Sequence, residues 1–291
     1  MSPDNMHTDE TRIDAALVRR LLTAQFPQWA DLPLAPVRSA GTDNALYRLG
    51  AEMVVRLPRH ETLDDVDKQN AWLPRLAPHL PLAIPTQLAQ GAPGEGYPWR
   101  WSIYRWLDGA DATVQPFTDP NAMAAELARF VAALRRIDAT GGPPASRAAP
   151  LATQDTDTRA AIAAVSDMLD ADAATAAWEA ALQAPVWEGP PVWIHGDLTP
   201  LNLLAHEGRL SAVIDWGAAG VGDPACDLCI AWNYLSGETR DIYRATLAVD
   251  DAMWERGRGW ALSIGLIALP YYQHSNPALA AIARRHRPPR H

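Results

Sequence analysis

Between residues 12 and 29 the apolar side chains Ile13, Leu17, Leu21 and Leu22 recur at intervals near three and four among polar ones, the period of an amphipathic helix. Asp9 or Thr11 is placed to cap it. From Leu34 the pattern changes to short apolar runs broken by turn residues. LAPVRSAGTDNALYRLG and AEMVVRLPR predict two or three strands, with turns at residues 41–44 and 50–52. A polar helix over residues 63–76 follows, and PLAIPTQLAQGAPGEGYPWRWSIYRWL reads as two further strands joined by a Gly/Pro loop. After Gly109 the texture turns helical, with Met123, Leu127, Phe130, Val131, Leu134 and Ile137 on one face of residues 121–137. Residues 140–150, TGGPPASRAAP, are a loop by composition and suggest no chemistry by themselves, and residues 158–182 are an Ala-rich helix or helix pair. Two short apolar runs, 192–195 and 212–215, each end in a polar cluster, and a helical tail begins at Asp223.

Length and composition narrow the class. The 291 residues are 48% hydrophobic and 20% charged, ordinary globular usage that provides for two domains or one bilobal unit and excludes a disordered or collagen-like chain. With 34 acidic against 25 basic residues the net charge is -9, the wrong sign for non-specific nucleic-acid binding. The two cysteines, Cys226 and Cys229, are too few for a disulfide scaffold or a structural zinc site, and read as buried small residues in a reducing cytoplasm. The acidic, polar start does not resemble a signal peptide, and the apolar run 260–272 is too short for a membrane span and carries Pro270, so a buried helix is expected there. Lys68 is the only lysine, so a phosphate-gripping cation elsewhere must be an arginine.

The chemistry-bearing segment is WIHGDLTPLNLL, residues 193–204, followed by VIDWG, residues 213–217. Asp197 and Asn202 stand five positions apart, the D-x-x-x-x-N interval of a kinase catalytic loop, and Asp215-Trp-Gly occupies the place of Asp-Phe-Gly. Phosphoryl transfer requires a carboxylate beside the acceptor hydroxyl and oxygen ligands that hold Mg²⁺ against the phosphates. Asp197 suits the first role, and the Asn202 amide oxygen with the Asp215 carboxylate suits the second. His195 reads as a buried scaffold residue, and Asp223 and Asp227 as a helix cap and a brace for the loop.

HGDLTPLN, then IDWG, then DPACDL at residues 223–228, resembles the aminoglycoside phosphotransferase family, whose signature is H-G-D-x-x-x-x-N followed by I-D-x-G and D-P-x-x-D-L; the resemblance covers about residues 35–240. It implies an α+β, bilobal, protein-kinase-like fold: a β-rich nucleotide-binding lobe over residues 1–106 and a mainly helical catalytic and acceptor-binding lobe over 107–291. It implies Mg²⁺-dependent transfer from ATP or GTP to a small-molecule hydroxyl. By this resemblance Arg56 takes the place of the fold's phosphate-pairing lysine, and Gln69, or the neighbouring Asp67, the place of the carboxylate that orients it. Ser39, Gly41, Thr42 and Asn44 fit the turn that covers the phosphates, and Tyr104 and Trp106 fall in the link that meets the purine.

The resemblance nominates aminoglycosides as acceptors, and the acidic balance suits a polycation. Kinases of macrolides, choline, homoserine and sugars are built on the same core, so the helical tail is expected to choose, with Trp232, Tyr234, Glu238, Asp241, Trp260, Tyr271 and Tyr272 as candidates. Aromatics there favour a neutral or bulky ligand and carboxylates a cationic one. Arg56 and Gln69 also leave open a nucleotide-binding pseudokinase without turnover. Nucleic acid and membrane are not among the expected partners, and the residues do not indicate an oligomeric state.

Overall fold

The computed structural model describes residues 13–37, 43–61 and 65–275, which divide into two compact units: residues up to Arg75 with Ile84–Leu107, and Leu76–Ala83 with the chain from Asp108 onward. In the first unit, period-two alternation builds an antiparallel sheet in the order β1-β2-β3-β5-β4, from β1 (Leu34–Pro36), β2 (Asn44–Leu49), β3 (Met53–Pro58), β4 (Gln87–Gly91) and β5 (Trp101–Arg105). Ala45, Tyr47 and Leu49 of β2 and Met53, Val55 and Leu57 of β3 share its buried face. Against them pack Leu17, Val18, Leu21 and Leu22 of α1 (Ala15–Gln25). Asp14 caps this helix, its Oδ1 accepting the Leu17 N–H at 2.8 Å; Asp9 and Thr11 lie outside the described residues. Helix α2 (Asp65–Leu76) follows β3.

The second unit is helical around two small strand groups. Helix α3 (Pro120–Arg135) starts on the cap Asp119, with Pro120 where a missing N–H costs nothing, and buries Met123, Leu127, Phe130, Val131 and Leu134. The Ala-rich stretch is a pair, α4 (Asp155–Ala164) and α5 (Ala171–Gln183). The tail is a 3-10 turn (Pro224–Cys229), then α6 (Ile230–Asn233), α7 (Glu238–Leu247) and α8 (Asp251–Ser275). Helix α8 packs on the 3-10 turn, α4 and α5, and Thr158 and Ser263 share a buried hydroxyl hydrogen bond of 2.7 Å. Among the described residues no helix is long and apolar enough to cross a membrane.

Strands too short to show a period position the chemistry. β6 (Ala110–Asp111), β8 (Leu203–His206) and β9 (Arg209–Val213) form one sheet, and β7 (Val192–Ile194) pairs antiparallel with β10 (Gly220–Gly222). The loop over residues 140–150 is fastened to β10. Val221 N–H donates to Pro143 O at 2.8 Å, and Ala145 N–H donates to Val221 O at 3.1 Å. Only glycines allow so close an approach: a Cβ at Gly220 would lie 2.6 Å from Ala145 N, and one at Gly222 would lie 2.1 Å from Ala148 Cβ. Gly222→Ala is therefore expected to destabilise the protein by about 1–3 kcal/mol through overpacking, measured by urea denaturation; a loss below about 0.5 kcal/mol would show that the loop yields freely.

Candidate active site

The polar segments after β7 and β9 are hydrogen-bonded to each other. Gly196 has φ +77°, and a Cβ there would lie 2.8 Å from the Ala218 carbonyl oxygen, so the bend needs glycine on both counts. Asp227, on the 3-10 turn, takes both amides of the bend: His195 N–H to Oδ2 at 2.9 Å and Gly196 N–H to Oδ1 at 2.8 Å. Burial raises its carboxyl above the usual carboxylate range, against the opposing pull of His195, the two N–H donors and Arg135. The Tyr243 hydroxyl donates to the Asp227 carbonyl at 2.9 Å and ties α7 to this turn. Asp223 caps the turn through Ala225 N–H at 2.9 Å and forms a buried ion pair with Arg256 of α8, Nε to Oδ2, at 2.9 Å.

His195 is engaged at both ring nitrogens. Nε2 donates to the Ile214 carbonyl at 3.0 Å, Nδ1 accepts the Asp197 N–H at 3.3 Å, and the ring meets Trp216 edge-on with centroids 5.0 Å apart. The imidazole thus joins the two polar segments and keeps neither nitrogen for a substrate proton.

Asp197 and Asn202 are in direct contact. Asn202 Nδ2 donates to the Asp197 carbonyl at 2.9 Å and to Asp197 Oδ2 at 3.2 Å. Both bonds use the amide nitrogen, which leaves Oδ1 as the lone-pair donor of this side chain. Ile214 N–H donates to the Asn202 carbonyl at 2.9 Å, which sets Asp215 one residue away along the chain. Asp215 itself has φ +63°, a left-handed conformation that Asp tolerates better than most residues. A carboxylate and an amide oxygen on these two segments are a hard-oxygen donor set suited to Mg²⁺, which takes few protein ligands and keeps water and phosphate oxygens for the rest. Among the described residues no three His, Cys, Asp or Glu converge on one point.

Two residues at this site were not singled out from the sequence. Asn233 of α6 donates through Nδ2 to the Leu198 carbonyl at 3.0 Å, holding the loop from the helical side. Arg147, from the loop fastened to β10, donates through Nη1 to Asp197 Oδ1 at 2.6 Å and to the Gly196 carbonyl at 2.8 Å. Burial is the largest influence and works against its charge, but the opposing influences, with the Asp197 carboxylate foremost, together outweigh it and the net shift of the guanidinium is upward. The glycines at 142, 220 and 222 are the one sequence signal that the two segments run close together.

In the first unit, Arg56 lies on β3 opposite Leu46 and Ser102, and its Nη1 donates to Gln69 Oε1 at 2.9 Å. The Tyr104 hydroxyl reaches the same oxygen at 3.4 Å, so Gln69, 3% exposed, is a shared acceptor. Asp67 is engaged elsewhere, with Gln90 at 2.6 Å and Arg100 at 3.6 Å. Trp106 carries the Arg48 guanidinium 3.8 Å over its ring, and Asn44 opens β2 opposite Pro58. Ser39, Gly41 and Thr42 lie outside the described residues.

Of the tail residues, Trp260 is 2% exposed and belongs to the core, because it lies on the buried side of α8. Trp232 lies against Trp254 with centroids 4.6 Å apart and the rings tilted by 44°, Tyr234 meets Phe117 edge-on at 6.4 Å, and Glu238 and Asp241 sit in the first turn of α7. The side chains of Tyr271 and Tyr272 lie outside the described residues. Cys226 and Cys229 are both buried and free; their mutual hydrogen bond, with burial, raises the Cys226 thiol well above its usual value, which keeps it inert.

Residues 35–260 match the family described as "Phosphotransferase enzyme family". An aminoglycoside 3'-phosphotransferase of Escherichia coli is 27% identical over 212 residues, which is 66% of this chain and 73% of that protein. Among solved structures, the GDP and kanamycin complex of APH(2")-IIia superposes with a TM-score of 0.72 at 20% identity, covering 91% of this chain and 95% of the other. The macrolide 2'-phosphotransferase MphH from Brachybacterium faecium, as apoenzyme, gives 0.60 at 24% identity, covering 94% and 99%.

Proposed function

Because the chain belongs to the phosphotransferase enzyme family, we propose that it transfers the γ-phosphate of ATP or GTP to a hydroxyl of a small-molecule acceptor, with an aminoglycoside as the first class to test. Asp197 orients the hydroxyl and receives its proton, Asn202 Oδ1 and the Asp215 carboxylate would hold Mg²⁺, and Arg56, set by Gln69, grips the donor phosphates. A bound Mg²⁺ supplies charge neutralisation at the phosphates. Ser39, Gly41, Thr42 and Asn44 cover those phosphates, and Tyr104 and Trp106 meet the base. Nucleotide binding is assigned to residues 1–106, and catalysis with acceptor binding to residues 107–291. Two buried, free cysteines suit a reducing cytoplasm.

The observation that carries this reading is the contact of Asn202 with Asp197 together with the Ile214–Asn202 backbone bond, since it gathers three oxygen-bearing side chains on two braced segments. For the acceptor, the supporting facts are the aminoglycoside 3'-phosphotransferase relative and the neighbour solved with kanamycin. A macrolide is the second reading, favoured by the half-buried Trp232–Trp254 pair, whose rings meet at 44° and add aromatic area for a bulky apolar ligand, although Arg244 lies 4.9 Å over the Trp254 ring.

The test is phosphoryl transfer by purified protein with Mg²⁺ and ATP or GTP across aminoglycosides, macrolides and small metabolic alcohols, with products identified by mass spectrometry. Nucleotide binding without any transfer would turn the reading toward a pseudokinase. Asp215→Ala is expected to weaken nucleotide affinity at least about tenfold in the presence of Mg²⁺ and to leave the Mg²⁺-free affinity unchanged. Calorimetric titration checks this, and an unaltered Mg²⁺ dependence would remove Asp215 from the metal site.

A further inference from the structure

Phosphoryl transfer as assigned above has no use for Arg147, yet its guanidinium makes the shortest contact of the Asp197 side chain, at 2.6 Å. The two side chains are 33% and 34% exposed, so the pair is open to solvent and not sealed in the core. Arg147 is also anchored. The carbonyl of Pro143 and the N–H of Ala145 both bond Val221, Ala148 N–H bonds the Ala145 carbonyl at 3.2 Å, and Arg147 Nη1 holds the Gly196 carbonyl besides the carboxylate. A positive charge is therefore presented on Asp197 Oδ1 from a segment fastened to β10.

We propose that Arg147 is a specificity-determining residue, which neutralises Asp197 toward the acceptor and so disfavours a reacting hydroxyl that has an ammonium group beside it. The inference rests on Asp197 receiving the acceptor hydroxyl, and from there it is electrostatic. An uncovered carboxylate attracts an ammonium group within about 4–6 Å, the distance at which an amine on the adjacent ring carbon arrives with its hydroxyl. With the guanidinium on Oδ1 that attraction is cancelled, and the ammonium also meets a like charge. The hydroxyl keeps its own access, because each carboxylate oxygen can accept more than one donor. A hydroxyl flanked by other hydroxyl or ether groups is the acceptor this arrangement takes, so the device acts both between acceptors and between hydroxyls of one polyamine sugar.

The experiment compares kcat/KM of the unmodified protein, Arg147→Met and Arg147→Lys on kanamycin A and kanamycin B, which carry a hydroxyl and an amine respectively at one ring carbon, with the phosphorylated position read by NMR. The unmodified protein is expected to prefer kanamycin A. Arg147→Met, which keeps the stem and drops the charge, is expected to shift the ratio toward kanamycin B by roughly tenfold, while Arg147→Lys keeps the preference. A purely structural arginine would lower both rates together and leave the ratio where it was. An unchanged ratio in Arg147→Met with transfer intact overturns this inference alone. Failure of the unmodified protein to phosphorylate either kanamycin overturns the aminoglycoside reading and this inference with it. Should Arg147→Met not fold, Arg147→Gln, also neutral, carries the same comparison.

Discussion

Asp197→Asn is expected to lower phosphoryl transfer by about 10²–10⁴-fold, the range spanned by loss of a positioned general base, while nucleotide affinity stays within about twofold. The substitution keeps the size of the side chain and removes its charge and its ability to take a proton. The loop should persist, because the Asn202 amide holds the backbone carbonyl of residue 197 at 2.9 Å and His195 Nδ1 holds its N–H at 3.3 Å, neither of which involves the carboxylate. What changes locally is the pair with Arg147 and the weaker bond from Asn202 Nδ2 to Oδ2. Single-turnover assays beside calorimetric nucleotide titration separate the outcomes. Transfer equal to that of the unmodified protein would sink Asp197 as the base, and joint loss of transfer and binding would mean that the loop had collapsed.

The largest stability effect is expected at Asp227. Its replacement by alanine leaves the His195 and Gly196 amides buried without their acceptor, and each such donor costs about 1–3 kcal/mol, so a loss on the order of 4 kcal/mol is expected. Activity should fall with it, because these two amides set the bend that aims Asp197. The pH dependence has a definite sign. Burial raises the carboxyl of Asp227, so the folded protein holds its proton more tightly than the unfolded chain does. Its contribution is fully present below the unfolded carboxyl value, about 3.9, and is lost as pH rises through the folded value. The stability difference between the unmodified protein and Asp227→Ala should therefore shrink as pH is raised from acid toward neutral, as urea denaturation at several pH values would show. A difference that widened with pH would mean that Asp227 is held ionised.

The two kinds of element differed in how far they could be read ahead. The long amphipathic helices α1 and α3 announce themselves through side chains three and four apart, and the hairpin β2–β3 through alternation, because each buries one face against a single partner. Strands β6, β8 and β10 have two to four residues, too few for a period, and exist because neighbouring backbone offers them hydrogen bonds. The same distinction runs through the site. Asp197, Asn202 and Asp215 are legible because they are close in sequence and their spacing carries the chemistry. The Asp227 brace was legible as part of the DPACDL run that follows. Arg147 and Asn233 were not, because residues 50 and 35 positions from their partners leave no periodic trace.

What the sequence determined by itself is therefore the family and the residues proposed for its chemistry: which side chains offer oxygen ligands and a proton acceptor, at what intervals, and on a chain of what class. Local spacing encodes that, since the loop reaches from Asp197 to Asn202 without leaving its own neighbourhood. The tertiary structure decided the charge that Asp197 presents. The glycines of β10 let the loop before α4 approach within hydrogen-bonding distance, and that approach sets an arginine on the carboxylate, a long-range contact made by packing and backbone pairing that no local pattern specifies.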